Sequence, residues 1–215
     1  MARCVGDPET APLTEDDLTA LAAYLELREF ERGAPVFGRG EQPIGVWIVR
    51  SGMIELYVGS GPRKVVIQIL YPGAVDGDIQ LINGMPLPYA ARALEPSRCL
   101  FLEPKSFESL LKDHPSLARR WLSSVASRLT RSHERLMGML GRSLVEQTAQ
   151  LLLDEQHSGR IPLPQRTLAA MLGVQRPSLN RVLKDLEAKG IIDLGYGRIE
   201  IKDADSIERL ARKSG

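Results

Sequence analysis

Nine glycines fall at 33, 38, 40, 45, 52, 59, 61, 73 and 77, and the apolar runs between them are too short for ordinary helices. Those runs, VWIVR, MIELYV and KVVIQIL, are rich in β-branched residues, and RCLFLE follows at 98–103. β-Branched and aromatic residues between turn signals favour strands. In MIELYV the alternation places Ile54, Leu56 and Val58 on one face. Many short strands with frequent turns predict a small sandwich or barrel. Before this region, TEDDLTALAAYLELRE at 14–29 reads as a helix, capped by Thr14, with Leu18, Leu21, Ala22 and Leu25 on its apolar side.

After Pro104 no glycine occurs until Gly138, and the period changes to that of a helix. Ala118, Leu122, Val125, Leu129, Ser132, Leu136 and Met139 recur at alternating steps of four and three, the spacing of a heptad seam. Such a stripe pairs two copies of the helix, or it packs one helix on the β domain, where Trp121 and Leu110-Leu111 also offer apolar surface. Gly138 and Gly141 are expected to end or bend this helix. SLVE at 143–146 then forms a capping box between Ser143 and Glu146 and starts a helix reaching about Gln156. The predicted division is 1–140, with the long helix at about 106–140, and 141–215.

Composition limits the partners. The 215 residues are 43% hydrophobic, enough for one or two cores. Lys and Arg number 28 against 27 Asp and Glu, so any nucleic-acid surface must be local. One such region exists: between Arg160 and Gly190 six basic residues face two acids, a local net of +4. No apolar run approaches ~18 residues, the length of a membrane span. The acidic N-terminus lacks the apolar stretch of a secretory signal, so a soluble cytoplasmic protein is expected. Cys4 and Cys99 are too few for a disulfide framework or a four-thiolate metal site.

The basic region contains LAAMLGVQRPSLNRVLKDLEAKG at 168–190. Leu168, Met171 and Leu172 give a first short helix its buried stripe, with small Ala169 where a second helix must cross. Gly173 suits a left-handed turn position. Leu179, Val182, Leu183 and Leu186 form the apolar side of a second helix, whose first turn accommodates Pro177. IIDLGYGRIEI at 191–201 then reads as two strands around Gly195-Tyr196-Gly197. The result is a winged helix-turn-helix with the second helix as reader. Arg176 and Arg181 can each fork onto O6 and N7 of guanine, and Ser178 and Asn180 can reach bases or phosphates. Lys184, Lys189 and Arg198 suit phosphates.

In this order of parts the chain resembles the Crp–Fnr family of bacterial transcription regulators. The segments that carry the likeness are FERGAPVFGRGEQPIGVWIVRSGMIELYV, ILYPGAVDGDIQL and LAAMLGVQRPSLNRVLKDLEAKGII. The resemblance implies an α+β fold: an N-terminal β-roll of the cyclic-nucleotide-binding jelly-roll type, a long dimerisation helix and a C-terminal winged helix-turn-helix. It also implies a homodimer on a palindromic operator in double-stranded DNA, RNA polymerase as a partner, and an effector site near Asp78, Tyr89, Ala90, Arg92, Ser132 and His133.

Nucleotide-binding members carry Gly-Glu and, some ten residues on, an arginine that pairs with the cyclic phosphate. Here Gly77-Asp78 is followed by Pro88-Tyr89-Ala90. An unpaired buried phosphate charge would be costly; Arg92, on the same strand face as Pro88, is the candidate substitute. Pro177 stands where relatives place a glutamate that accepts from cytosine, so the half-site should differ there. The sequence identifies no cofactor or effector. An enzyme with a metal in the β-roll would need histidines there, and His114, His133 and His157 all lie in the helical part. The alternative function is a cyclic-nucleotide sensor whose C-terminal module binds a protein.

Overall fold

A computed structural model describes residues 14–195 and 198–212. Cys4, the wing tip Tyr196-Gly197 and the side chains of Leu18, Pro62 and Met139 lie outside the described residues. The first elements are α1 (Glu15–Tyr24), β1 (Leu25–Phe30), β2 (Pro35–Phe37), β3 (Val46–Ser51), β4 (Ile54–Val58) and β5 (Val65–Leu70). Then come β6 (Val75–Asp76), α2 (Asp78–Asn83), β7 (Ala90–Ala93), β8 (Ser97–Leu102), α3 (Pro104–Asp113) and α4 (Pro115–Met139). The remainder is α5 (Leu144–Glu155), β9 (Arg160–Ile161), α6 (Gln165–Met171), α7 (Arg176–Ala188), β10 (Ile192–Gly195), β11 (Arg198–Ile201) and α8 (Ala204–Ala211). Two compact units result, one of residues up to Val58 with Ile67–Arg131, the other of Gly59–Val66 with Ser132 onward.

The first unit is a jelly roll of two four-stranded sheets, ordered β1-β8-β3-β6 and β2-β7-β4-β5. Strand β3 is buried on both faces because it lies between two cores. Val46 and Ile48 meet Leu21, Phe107, Leu110, Leu117 and Trp121 from the helices, whereas Trp47 and Val49 meet Ile54, Leu56, Ala91 and Phe101 of the inter-sheet core. Phe107, Leu110 and Leu117 anchor α3 and α4, and such burial is worth about 1.5–3 kcal/mol per side chain. The expected alternation of β4 holds for Ile54 and Leu56, both in the inter-sheet core.

Two helical predictions need correction. Residues 14–29 do not form one helix: α1 ends at Tyr24, and Leu25–Phe30 become an edge strand along β8, with Leu25 opposite Leu102 and Phe30 opposite Ser97. Helical spacing continues through Leu25, but sheet pairing overrides that local pattern. The predicted helix of 106–140 is interrupted at His114 (φ −127°, ψ 84°). The residue before a proline is pushed out of the helical region, and Pro115 then starts α4 at a position that needs no N–H donor.

In the second unit, Ser143 accepts from the Glu146 N–H while the Glu146 carboxylate accepts from the Ser143 N–H, the predicted capping box. Helices α5 and α8 pack together beside α7. Strands β10-β11-β9 form a small sheet in which Ile199 lies opposite Leu194 and Ile161.

Candidate nucleic-acid interface and effector site

Helix α6 ends in a tight left-handed turn. The Val174 N–H donates to the Ala169 carbonyl (3.0 Å) and the Gly173 N–H to that of Ala170 (3.4 Å). This Schellman pairing needs a residue in the left-handed region, and Gly173 has φ 65°. A Cβ there would meet nothing within 4 Å, so conformation rather than space selects glycine. The same device closes α7, with Ile191 N–H on Leu186 (3.0 Å), Gly190 N–H on Glu187 (2.8 Å) and Gly190 at φ 71°.

Between these turns α7 has two distinct sides. Leu179, Val182, Leu183 and Leu186 are buried. Arg176, Ser178, Arg181 and Lys184 are exposed and Asn180 is half-buried. Gln175 caps the helix without a side-chain bond, and Pro177 supplies no N–H. The start of the helix therefore presents the Arg176 side chain and a positive helix end, which suits an anionic backbone.

Arg198, also exposed, stands on the wing, and its Nε lies 3.6 Å from Glu200. Glu200 also faces Arg160 Nε at 3.1 Å and Lys202 Nζ at 2.9 Å. The Lys202 hydrogen bond, then the charges of Lys202, Arg160 and Arg198, hold its carboxyl below the usual range. Sequence reasoning overlooked this acid, although its place two residues after Arg198 on β11 puts both on one face of the strand.

In the β-roll, Gly77 has φ 84°, and a Cβ on it would come 2.8 Å from the Gly45 carbonyl. The turn delivers Asp78, which has no exposed surface, to the start of α2. Trp121 Nε1 donates to Asp78 Oδ2 at 2.7 Å. Arg128 donates from Nη1 to Oδ1 at 3.0 Å and from Nη2 to Oδ2, and Nη1 also reaches the Val75 carbonyl at 3.0 Å. Trp121 and Arg128 were not among the predicted site residues; their spacing of seven on one helix face was the available signal.

Tyr89 donates through its hydroxyl to Asp76 Oδ1 at 2.8 Å. Burial pushes the Asp76 carboxyl up to about 6, against the lowering hydrogen bonds from Tyr89 and the Gly77 N–H. Ala90 is half-buried at the start of β7. Arg92 donates through Nε to the buried Glu55 carboxylate opposite it on β4 and lies 5.4 Å from the Tyr57 ring centre. Of the predicted effector residues, Asp78, Tyr89, Ala90 and Arg92 thus belong to the first unit. Ser132 and His133, both exposed on α4, belong to the second. Among the described residues no group of three or more His, Cys, Asp or Glu could hold a metal ion. No helix among them is long and apolar enough to cross a membrane.

Comparison with known proteins agrees with this arrangement. Residues 27–114 match the cyclic nucleotide-binding domain and residues 134–210 the Crp-like helix-turn-helix domain. The chain is 55% identical over 212 residues to the HTH-type transcriptional regulator Cmr of Mycobacterium tuberculosis, covering 99% of this chain and 87% of that protein. It is 26% identical to the Cyclic AMP receptor protein of Thermus thermophilus, over 96% and 97% of the two chains. Among solved structures, FixK2 of Bradyrhizobium japonicum shares the fold with a TM-score of 0.78 at 19% identity, over 89% of this chain and 99% of that one. An exposed reader helix on a winged domain, a jelly-roll sensor and a relative of this identity over nearly the whole chain together place the protein in the Crp–Fnr family of DNA-binding transcription regulators.

Proposed function

We propose that the protein acts in the cytoplasm as a homodimer on a palindromic operator, with RNA polymerase as its functional partner. Arg176 and Arg181 read guanine edges, Ser178 and Asn180 add base or phosphate contacts, and Lys184 and Arg198 hold phosphates. The observation that carries this reading is the division of α7 into four buried aliphatic residues and an exposed basic-polar side. No large apolar side chain is exposed on α7, which disfavours a protein partner as its main target.

The dimer assignment rests on α4. Leu122, Leu129 and Leu136 expose large apolar surface at heptad spacing, and a second copy of the same stripe would bury it. We assign the domains as 1–140 and 141–215, joined at Gly138 to Gly141, where Gly141 has φ 67°. An effector acting at Asp78, Tyr89, Ala90, Arg92, Ser132 and His133 would switch operator binding by turning the chain at that junction.

Selection of duplexes from random DNA, followed by binding at stepped salt, tests the operator reading. Enrichment of an inverted repeat and a steep fall of affinity with salt are expected. Recovery of unrelated sequences with no salt dependence would overturn it.

A further inference from the structure

Two buried oxygens in the β-roll accept no hydrogen bond, Asp76 Oδ2 and Gln80 Oε1. Their residues share one partner. The Tyr89 hydroxyl donates to Asp76 Oδ1 at 2.8 Å and accepts from Gln80. Two oxygens held away from water cost free energy unless a hydrogen lies between them.

The three side chains make three links: Tyr89 to Asp76, Gln80 to Tyr89 and Asp76 to Gln80. With Asp76 ionised they bring only two hydrogens to these links, one from the hydroxyl and one from the amide N–H, because the amide turns its oxygen to the other neighbour. That count is the same whichever way the amide is turned. A protonated Asp76 supplies the third, its O–H donating to Gln80, the Gln80 N–H to Tyr89 and the Tyr89 O–H back to Asp76. Burial, and then the Asp78 carboxylate on α2, oppose a charge on Asp76; the hydrogen bonds from Tyr89 and the Gly77 N–H, and Arg128 on α4, favour one. Trp47, opposite Asp76 on β3, carries no charge. Burial prevails, and the carboxyl is pushed up to about 6.

We propose that the proton is a ligand of this site: Asp76, Gln80 and Tyr89 close into a ring of three hydrogen bonds when Asp76 takes a proton from solvent, and the ring opens when Asp76 returns it. The ring spans the jelly roll. Asp76 belongs to the β1-β8-β3-β6 sheet, Gln80 to α2, and Tyr89 leads into β7 of the other sheet. Closed, it ties both sheets and α2 together; open, one link sets two acceptors against each other. Acidification therefore tightens the part of the β-roll that contains Asp78, Tyr89 and Ala90. This deepens the proposed function by naming a regulator of the effector site, and it rests on that reading for the operator measurement alone.

Carbon-13 titration of the full chain, labelled in aspartate and glutamine, tests it. The Asp76 carboxyl resonance should move with a midpoint at about 6, and the Gln80 side-chain carbonyl should move with it, because the same proton lies between them. Titration of Asp76 at about 4, the ordinary carboxylate range, or a Gln80 carbonyl that ignores the titration overturns the proposal. Asp76→Asn offers an N–H where the acid has its O–H and cannot ionise, so its Gln80 carbonyl should hold one position from pH about 5 to 8; a carbonyl that still follows pH overturns it as well. Operator affinity is then compared in the two proteins across the same range, the variant cancelling the titration of the histidines. An Asp76 midpoint that differs by about half a unit between free and operator-bound protein changes affinity about threefold per subunit and about tenfold per dimer. The ratio of wild-type to variant affinity should move by such an amount as pH passes the Asp76 midpoint, and a constant ratio overturns the regulatory role. Should the wild type select no operator, the DNA reading fails, while the carbon-13 titration still decides the ring.

Discussion

Truncating Leu129 to alanine tests the dimer at its least ambiguous residue. The Leu129 side chain is 56% exposed in the single chain, flanked along the seam by Leu122 at 70% and Leu136 at 58%. Burying a whole leucine is worth about 1.5–3 kcal/mol, so the half still exposed stands for roughly 1 kcal/mol. A two-fold interface counts each residue twice, giving about 2 kcal/mol, or about thirtyfold in the dimer dissociation constant. The folded single chain should be nearly indifferent, since exposed helical substitutions change stability by no more than about 0.5 kcal/mol. Sedimentation equilibrium across a dilution series would report the weakened association, with circular dichroism confirming an unchanged protomer. An L129A protein that associates like wild type would refute the seam.

Three further predictions use other parts of the molecule. Arg181→Ala should cost about 1–3 kcal/mol of operator affinity and relax one base position, whereas Lys184→Ala should weaken all sequences alike and lower the salt slope by about one; binding to a substituted operator set separates them. Asp76, raised by burial from 3.8 to about 6, holds its proton more tightly folded than unfolded, so its contribution to stability is full at low pH and lost as pH rises through 6. Asp76→Asn should remove that loss, its stability relative to wild type growing between pH about 4 and 6 to about 3 kcal/mol and then levelling, as read by urea denaturation; a pH-independent difference would exclude the titration. Cys99, buried and with its thiol pushed up to about 11, should resist thiol reagents until the chain unfolds, which mass mapping of its peptide would show.

What the sequence revealed and what it hid differ in range. The α7 stripe, the left-handed Gly173 and the Ser143–Glu146 box are set within a few residues, so spacing alone exposes them. Leu25–Phe30 was misread because its strand character comes from pairing with β8, some seventy residues away. The break at His114 was written in Pro115 and masked by the uninterrupted apolar spacing around it. The Asp78–Arg128 pair has no local trace beyond the seven-residue spacing of Trp121 and Arg128, since its partners are 50 residues apart and meet only when α4 lies against α2 and β6. Sequence located Asp78 as special and missed what satisfies it.

That pair also bears on the seam. A helix with apolar residues on more than one side has several ways to roll against a jelly roll, and hydrophobic contact is not directional. Leu117 and Trp121 alone fix the roll of α4 loosely, because aliphatic cores tolerate repacking. A forked guanidinium on a fixed carboxylate tolerates little rotation, since its hydrogen bonds weaken steeply once misaligned. Each residue step turns a helix by about 100°, so Trp121 and Arg128, held inward, place Leu122 and Leu129, one step along, at the side that stays open. The Asp78–Arg128 pair therefore selects which leucines α4 leaves exposed, and the inward polar contact and the outward apolar stripe are two consequences of one helix orientation.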